Sequence, residues 1–143
     1  MKRVLLVGGA GYIGSHMVKY LGSKEVSVTT LDNLSGGHRD AVLHGEFVQG
    51  DLGNQELIAQ VFKAHRYDAV MHFASHIQVG ESVTDPAKYY LNNVVNTLNL
   101  LDAMRGAGID KFIFSSTAAI FGNPTSDRID EAHTKNPINP YGR

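Results

Sequence analysis

A short apolar run from Val4 to Val7, bounded by glycine, reads as a strand covered on both faces. Ile13, Met17 and Leu21 then recur at helical spacing. Val26 to Leu31 is rich in β-branched residues and predicts a second strand; Glu46 to Gln49 is a weaker third, placed mostly by its neighbours. Asn54 is positioned to cap a helix carrying Leu57, Ile58, Val61 and Phe62 on one face, with Glu56 in the first turn, where the helix dipole favours negative charge. Ala69 to Ala74 and Lys111 to Ser116 read as the fourth and fifth strands. Between them lies the longest helical pattern, Leu91, Val94, Val95, Leu98, Leu101 and Met104, ended by Gly106 and Gly108. Strands alternating with helices predict an α/β fold with a parallel sheet and right-handed crossovers. Asn123 to Pro140 reads as loop, with Pro124, Pro137 and Pro140 in it. No repeat or low-complexity linker divides the chain, so residues 1–143 are expected to form one domain that ends in a loop.

A chain of 143 residues is long enough for one core, burying roughly 68–70% of the unfolded surface. Thirteen basic and fourteen acidic side chains leave a net charge of −1, which offers no field for nucleic acid or an anionic membrane. Small molecules or other subunits are the expected partners. The lack of cysteine excludes disulfides, thiolate nucleophiles and cysteine-based zinc sites, and it suits a cytoplasmic protein. The basic start followed by Val4 to Val7 superficially resembles a secretion signal, but the apolar stretch is too short. No apolar run approaches the ~18 residues of a membrane span. His72 and His76 are four apart across a strand end and a loop rather than on one helix face, so no metal site is expected.

Gly8, Gly11 and Gly14 stand in the string G-G-A-G-Y-I-G, straight after the first strand and opening the first helix. A dinucleotide pyrophosphate must approach backbone N–H groups at a helix N-terminus, where the dipole also favours an anion. Side chains there would hold it away. A tight strand-to-helix turn explains a lone glycine pattern equally well; the position between strand and helix is what favours a cofactor. The second strand ends in Asp32, 18 residues after Gly14, where a carboxylate can accept bonds from both adenosine ribose hydroxyls and would repel a 2′-phosphate. The plainer reading is an aspartate that starts a turn with Asn33. His38 and Arg39 follow closely and would suit NADP, but the carboxylate favours NAD. Asp51-Leu52 follows the third strand; by itself it says nothing beyond a helix N-terminal turn.

With G-G-A-G-Y-I-G-S-H and L-D-N-L-S-G-G-H-R, the chain resembles the extended branch of the short-chain dehydrogenase/reductase family. H-F-A-S-H-I-Q-V-G-E-S, K-Y-Y-L-N-N-V, F-S-S-T-A-A-I-F-G and N-P-Y-G narrow the resemblance, in order and spacing, to UDP-galactose (UDP-glucose) 4-epimerases. It covers the whole chain and implies a Rossmann-type, doubly wound parallel sheet with about five strands present. It places Gly8, Gly11, Gly14, Tyr12 and Ile13 at the pyrophosphate of NAD. Asp32, Asn33, Leu34, Ser35, Gly36 and Gly37 would surround the adenosine, and Asp51 and Leu52 would meet the adenine. Phe73, Ala74, Ser75, His76 and Ile77 would pass along the cofactor, with Asn93 near it. Ile77 stands where some of these enzymes carry a lysine, and Phe121 replaces a common tyrosine. By its residues alone Asn93 reads equally well as a capping or surface asparagine. Ser115, Ser116 and Thr117, at a strand end, read as turn chemistry.

The resemblance implies NAD-dependent epimerisation of UDP-galactose and UDP-glucose at C4 through a transient 4-keto sugar. Tyr141 would be the base and Thr117 would orient the 4′-oxygen. A tyrosine with a pKa near ~10 is almost wholly protonated at neutral pH. The family lowers that value with a lysine four residues on, a position beyond Arg143. The expectation is therefore a chain truncated before the rest of the sheet and the substrate-binding domain, which binds NAD and is inactive alone. The complete protein is expected to be a homodimer through the long helix. A 4,6-dehydratase would follow the threonine with Asp-Glu, whereas Ala118 and Ala119 stand here. A non-catalytic NAD-binding module is the other alternative.

Overall fold

Five strands, β1 (Arg3–Val7), β2 (Ser27–Asp32), β3 (Glu46–Gln49), β4 (Ala69–His72) and β5 (Phe112–Phe114), form one parallel sheet in the computed structural model, which describes residues 2–143. Their order is β3-β2-β1-β4-β5. The unbroken apolar run of β1 follows from its central place: Leu5 and Val7 face one layer, Val4 and Leu6 the other. On the first side they join Leu31, Ile58, Val61, Val70, Leu100 and Met104, supplied in part by helices α2 (Gln55–Ala64) and α5 (Asn96–Gly106). On the second side Ala10, Val18, Val28 and Met71 close the core beneath helix α1 (Tyr12–Ser23). The doubly wound α/β fold is thus the one expected from the alternation of strands and helices.

Asn54 caps α2 as its sequence context predicts, its Oδ1 accepting the Leu57 N–H at 3.0 Å. Several boundaries move. β4 stops at His72 and β5 covers only three residues, each shorter than its apolar run. Ile13 is exposed, and α1 turns Gly14 and Val18 to the sheet instead.

The long helical pattern is broken into pieces. After α3 (Val79–Thr84) comes α4 (Pro86–Tyr89), with Pro86 in its first turn and Asp85 Oδ1 accepting the Lys88 N–H at 3.2 Å. A π-helical turn, Tyr90–Val95, joins α4 to α5. The face turned to the protein carries Tyr89, Asn96, Leu100 and Met104, whereas Leu91, Val94, Val95, Leu98 and Leu101 are exposed. The apolar stripe legible in the sequence is therefore mostly the outer face, and half-polar side chains line the inner one.

Candidate functional site

The chain winds outward from β1 through β2 to β3, then returns to β4 on the other side of β1. That reversal makes the carboxyl ends of β1 and β4 a topological switch point, where open α/β sheets bind ligands. The three glycines there are not equivalent. Gly8 has φ +83°, and a Cβ on it would lie 2.5 Å from the Ala74 nitrogen. A Cβ on Gly14 would overlap the Gly8 carbonyl. Packing within the protein explains both. At Gly11 a Cβ would meet only the Gly8 oxygen, at 3.5 Å, so nothing in the chain demands glycine there. Gly11 precedes α1 without a side-chain cap, and the first turn holds no acidic residue. The N–H groups of Tyr12, Ile13 and Gly14, in the first turn, have no intrahelical partner, and the helix dipole lies behind them. Such a place suits phosphate oxygens, and a side chain at Gly11 would stand in their way.

Asp32 is 9% exposed and serves two neighbours at once. Its Oδ2 accepts the Ala10 N–H at 2.8 Å, tying β2 to the glycine-rich turn. Its Oδ1 accepts the Leu34 N–H at 2.8 Å, so the turn-starting reading of this aspartate is also realised. Each oxygen keeps lone-pair capacity for a hydroxyl. Leu34 sits at φ +61°, and the loop folds back so that the His38 N–H donates to the Ala10 carbonyl at 3.0 Å. Asn33 Nδ2 donates to Asp51 Oδ2 at 2.6 Å, while Asn33 Oδ1 accepts the Ser35 N–H at 2.9 Å. Ser35 and Gly36 are exposed on the rim, with Gly37 against Ala10. Asp51 Oδ1 accepts the Gly53 N–H at 2.7 Å, and the Leu52 side chain is buried in the core. Asn33 and Asp51 are thus hydrogen-bonded to each other on the rim beside Asp32.

On the other side of the switch point, Phe73 to Ile77 runs without regular structure from half-buried Phe73 to exposed Ile77. Asn93 is neither a cap nor a surface residue: its Oδ1 accepts the His76 N–H at 2.9 Å and its Nδ2 donates to the His76 carbonyl at 2.9 Å. It clamps that segment from the π-helical turn. His72 is fully buried at the end of β4, and burial pushes its pKa down to about 4.

Thr117 opens a single 3₁₀ turn, Ala118–Phe121, and its Oγ1 accepts the Ala119 N–H at 3.1 Å. The backbone of Gly142 lies against the Ala119 carbonyl, which brings the residue after Tyr141 onto the turn that Thr117 starts. The Tyr141 N–H donates to Ser82 Oγ at 3.3 Å, and its ring meets Tyr89 edge to face, with centroids 6.3 Å apart. Tyr89 is itself fixed: its hydroxyl accepts the Gln78 N–H at 3.0 Å and donates to Glu81 Oε2 at 2.8 Å. Burial first, and that bond second, hold its pKa above the usual tyrosine value. Ala10, Ser82, Tyr89 and Thr97 contact the residues singled out in the sequence but are not among them, and His72 is weighed there only as a metal ligand. Thr97 carried one signal, lying a helical turn beyond Asn93. Tyr89 and Tyr90 are indistinguishable as letters until one is seen to be buried. A hollow of about 310 Å³ near Lys63, Arg66 and Tyr67 lies at the opposite edge of the sheet, apart from all of these.

The model of the NAD dependent epimerase/dehydratase family matches residues 4–143. A UDP-glucose 4-epimerase of Rhizobium meliloti (strain 1021) is 50% identical over 140 residues, which are 98% of this chain and 43% of that protein. One from Azospirillum brasilense is 52% identical over 141 residues, 98% of this chain and 40% of that protein. Among solved structures, the UDP-glucose 4-epimerase from Brucella ovis in complex with NAD superposes with a TM-score of 0.96 at 48% identity, covering 99% of this chain and 44% of that one. The chain thus spans less than half the length of the relatives it matches.

Proposed function

The chain belongs to the NAD dependent epimerase/dehydratase family, and on that footing we propose that it is the NAD-binding part of an enzyme interconverting UDP-galactose and UDP-glucose at C4 of the sugar. The carrying observation is Gly11, a glycine at an uncapped helix start that the protein's own packing does not require. An anionic ligand supplies the missing reason. Asp32 would accept the adenosine ribose hydroxyls, and the rim from Asn33 to Gly37 with Asp51 and Leu52 would surround the adenosine. Phe73 to Ile77 and Asn93 would lie along the rest of the dinucleotide. When bound, NAD would supply a reversible hydride acceptor for C4 of the sugar.

Tyr141 would take the proton of the 4′-hydroxyl and later give it back, while Thr117 would hydrogen-bond the same oxygen. The Ser82 and Tyr89 contacts support this assignment, because they set where the phenol stands. Ala118 and Ala119 carry no proton to give or take, which favours epimerisation over dehydration. The exposed face from Leu91 to Leu101 supports a homodimer of the complete protein, and the lack of cysteine agrees with a cytoplasmic setting. No described helix is long and apolar enough to cross a membrane.

The test uses the full-length protein that contains this chain. It is expected to convert UDP-galactose to UDP-glucose, and Tyr141→Phe is expected to lower kcat by roughly 10²–10⁴-fold with NAD still bound. Full activity in that variant removes Tyr141 as the base. A folded, NAD-loaded protein that turns over no UDP-sugar overturns the epimerase reading.

A further inference from the structure

The segment after β4 has no regular structure, yet it stands against the glycine-rich turn, its Ala74 nitrogen and Phe73 carbonyl carbon 2.5 and 2.7 Å from where a Gly8 Cβ would be. Two ties hold it from the helix behind. One is the Asn93 amide on the His76 backbone. The other passes through His72, which is 1% exposed and lies directly beneath the segment. The Ala74 N–H approaches His72 Nδ1 at 3.2 Å, and an N–H can only donate, so Nδ1 is the bare, accepting nitrogen. The proton of the neutral ring is then on Nε2, which donates to Thr97 Oγ1 at 2.9 Å. Thr97 Oγ1 in turn donates to the Asn93 carbonyl at 2.8 Å. Every donor and acceptor therefore has one direction, from the segment through the ring to the π-helical turn.

We propose that His72 and Thr97 are positioning residues for dinucleotide binding: the chain Ala74–His72–Thr97–Asn93 pre-sets the segment Phe73 to Ile77 as one wall of the site at the switch point. The inference rests on the NAD-binding reading above. A histidine satisfied within a core would need one partner on its own element. This ring joins the strand end, the segment and the helix, and it sits beside Phe112 and Phe114, with centroids 6.1 and 5.7 Å away. Those apolar neighbours keep the ring neutral at physiological pH, and with it the direction of the chain. A wall already ordered before the ligand arrives lowers the ordering cost of binding.

The test uses the 143-residue chain, with NAD as the ligand. Nitrogen-15 NMR of the His72 ring should show Nδ1 unprotonated and Nε2 protonated, with or without NAD; the opposite tautomer overturns the proposal without any variant. Thr97→Val removes the acceptor of the Nε2 proton and the donor to Asn93. It should weaken NAD about tenfold by calorimetry and speed amide exchange at Ala74 and His76, leaving Leu5 and Val70 protected. Thr97→Ser keeps the hydroxyl and should restore affinity to within about twofold. A purely structural role would lower global stability and leave the affinity of the folded chain unchanged. A wild-type chain that binds NAD and a folded Thr97→Val chain that binds it equally well overturn this inference alone. A folded wild-type chain that binds no NAD overturns the cofactor reading with it.

Discussion

Gly11 and Gly14 carry the same letter in one motif and are held by different forces. Gly14→Ala drives a methyl group into the Gly8 carbonyl and should cost about 1–3 kcal/mol in urea unfolding, with or without ligand. Gly11→Ala makes only an ordinary contact with the Gly8 oxygen, so the fold should keep its stability while NAD affinity falls at least about tenfold. Equal losses in both would mean that packing explains the whole motif. Asp32 adds the choice of nucleotide: the chain should prefer NAD to NADP by calorimetry, and Asp32→Ala should narrow that gap. Because the same carboxylate holds the Ala10 and Leu34 N–H groups, some stability should go with it. His72 sets an acid limit. Its pKa is about 4 in the fold against 6.5 ordinarily, so between those values the unfolded chain takes a proton that the folded chain refuses. Above pH 6.5 both states are neutral and this contribution is complete; it is lost as pH falls toward 4, by ~3 kcal/mol in all. A urea midpoint from this residue that stays flat from pH 7 to pH 4 would contradict the burial of the neutral ring.

At the scale of elements, the sequence is a good guide wherever one local force decides the outcome. Asn54 before an amphipathic run caps α2, and Asn54→Ala should cost about 1 kcal/mol by chemical denaturation. The four residues of β3 sit where their neighbours in sequence put them. Strand ends are harder to read, because apolar letters continue past the last ladder bond: Phe73 and Ala74 look like strand and lie in the irregular segment after β4. The long helix turns its apolar stripe from Leu91 to Leu101 outward, where a contact with another subunit through this helix needs it. Its inner surface is built from Tyr89, Asn93, Asn96 and Thr97, whose partners are backbone groups and polar side chains of other elements, and no periodicity of apolar residues can announce those. The π-helical turn from Tyr90 to Val95 has no distinct letter pattern either, though such turns concentrate at functional places. The glycine motif and Asp32 were legible because a strand–turn–helix with a carboxylate at the next strand end has few other uses. The joining of Asn33 to Asp51 and of Tyr141 to Ser82 depends on contacts between residues 18 and 59 positions apart, which only the fold brings together.

For the whole molecule, the distribution of uncovered apolar surface leads to the last prediction. Two regions of the described residues stand out. One is the outer face of the long helix, with Leu91 and Leu98 59% and 58% exposed and Val94, Val95 and Leu101 around them. The other is β5, at the end of the sheet, with Ile113 and Phe114 about half exposed. Contiguous apolar patches of this kind usually mark contact with another surface. The two regions call for different partners. A helix face packs on a helix face by side chains alone, whereas an edge strand offers unpaired backbone groups and invites another strand. The helix stripe is broader and presents five side chains at helical spacing, so the 143-residue chain should self-associate through it. Leu91→Lys with Leu98→Lys places two charges in that contact without touching the inner face that clamps His76. Sedimentation should then show the doubly substituted chain as a monomer at concentrations where the wild type associates, with NAD affinity unchanged. Association that survives both lysines would assign the contact to the β5 edge instead. A wild-type chain that stays monomeric at high concentration would remove the support that this surface lends to a homodimer.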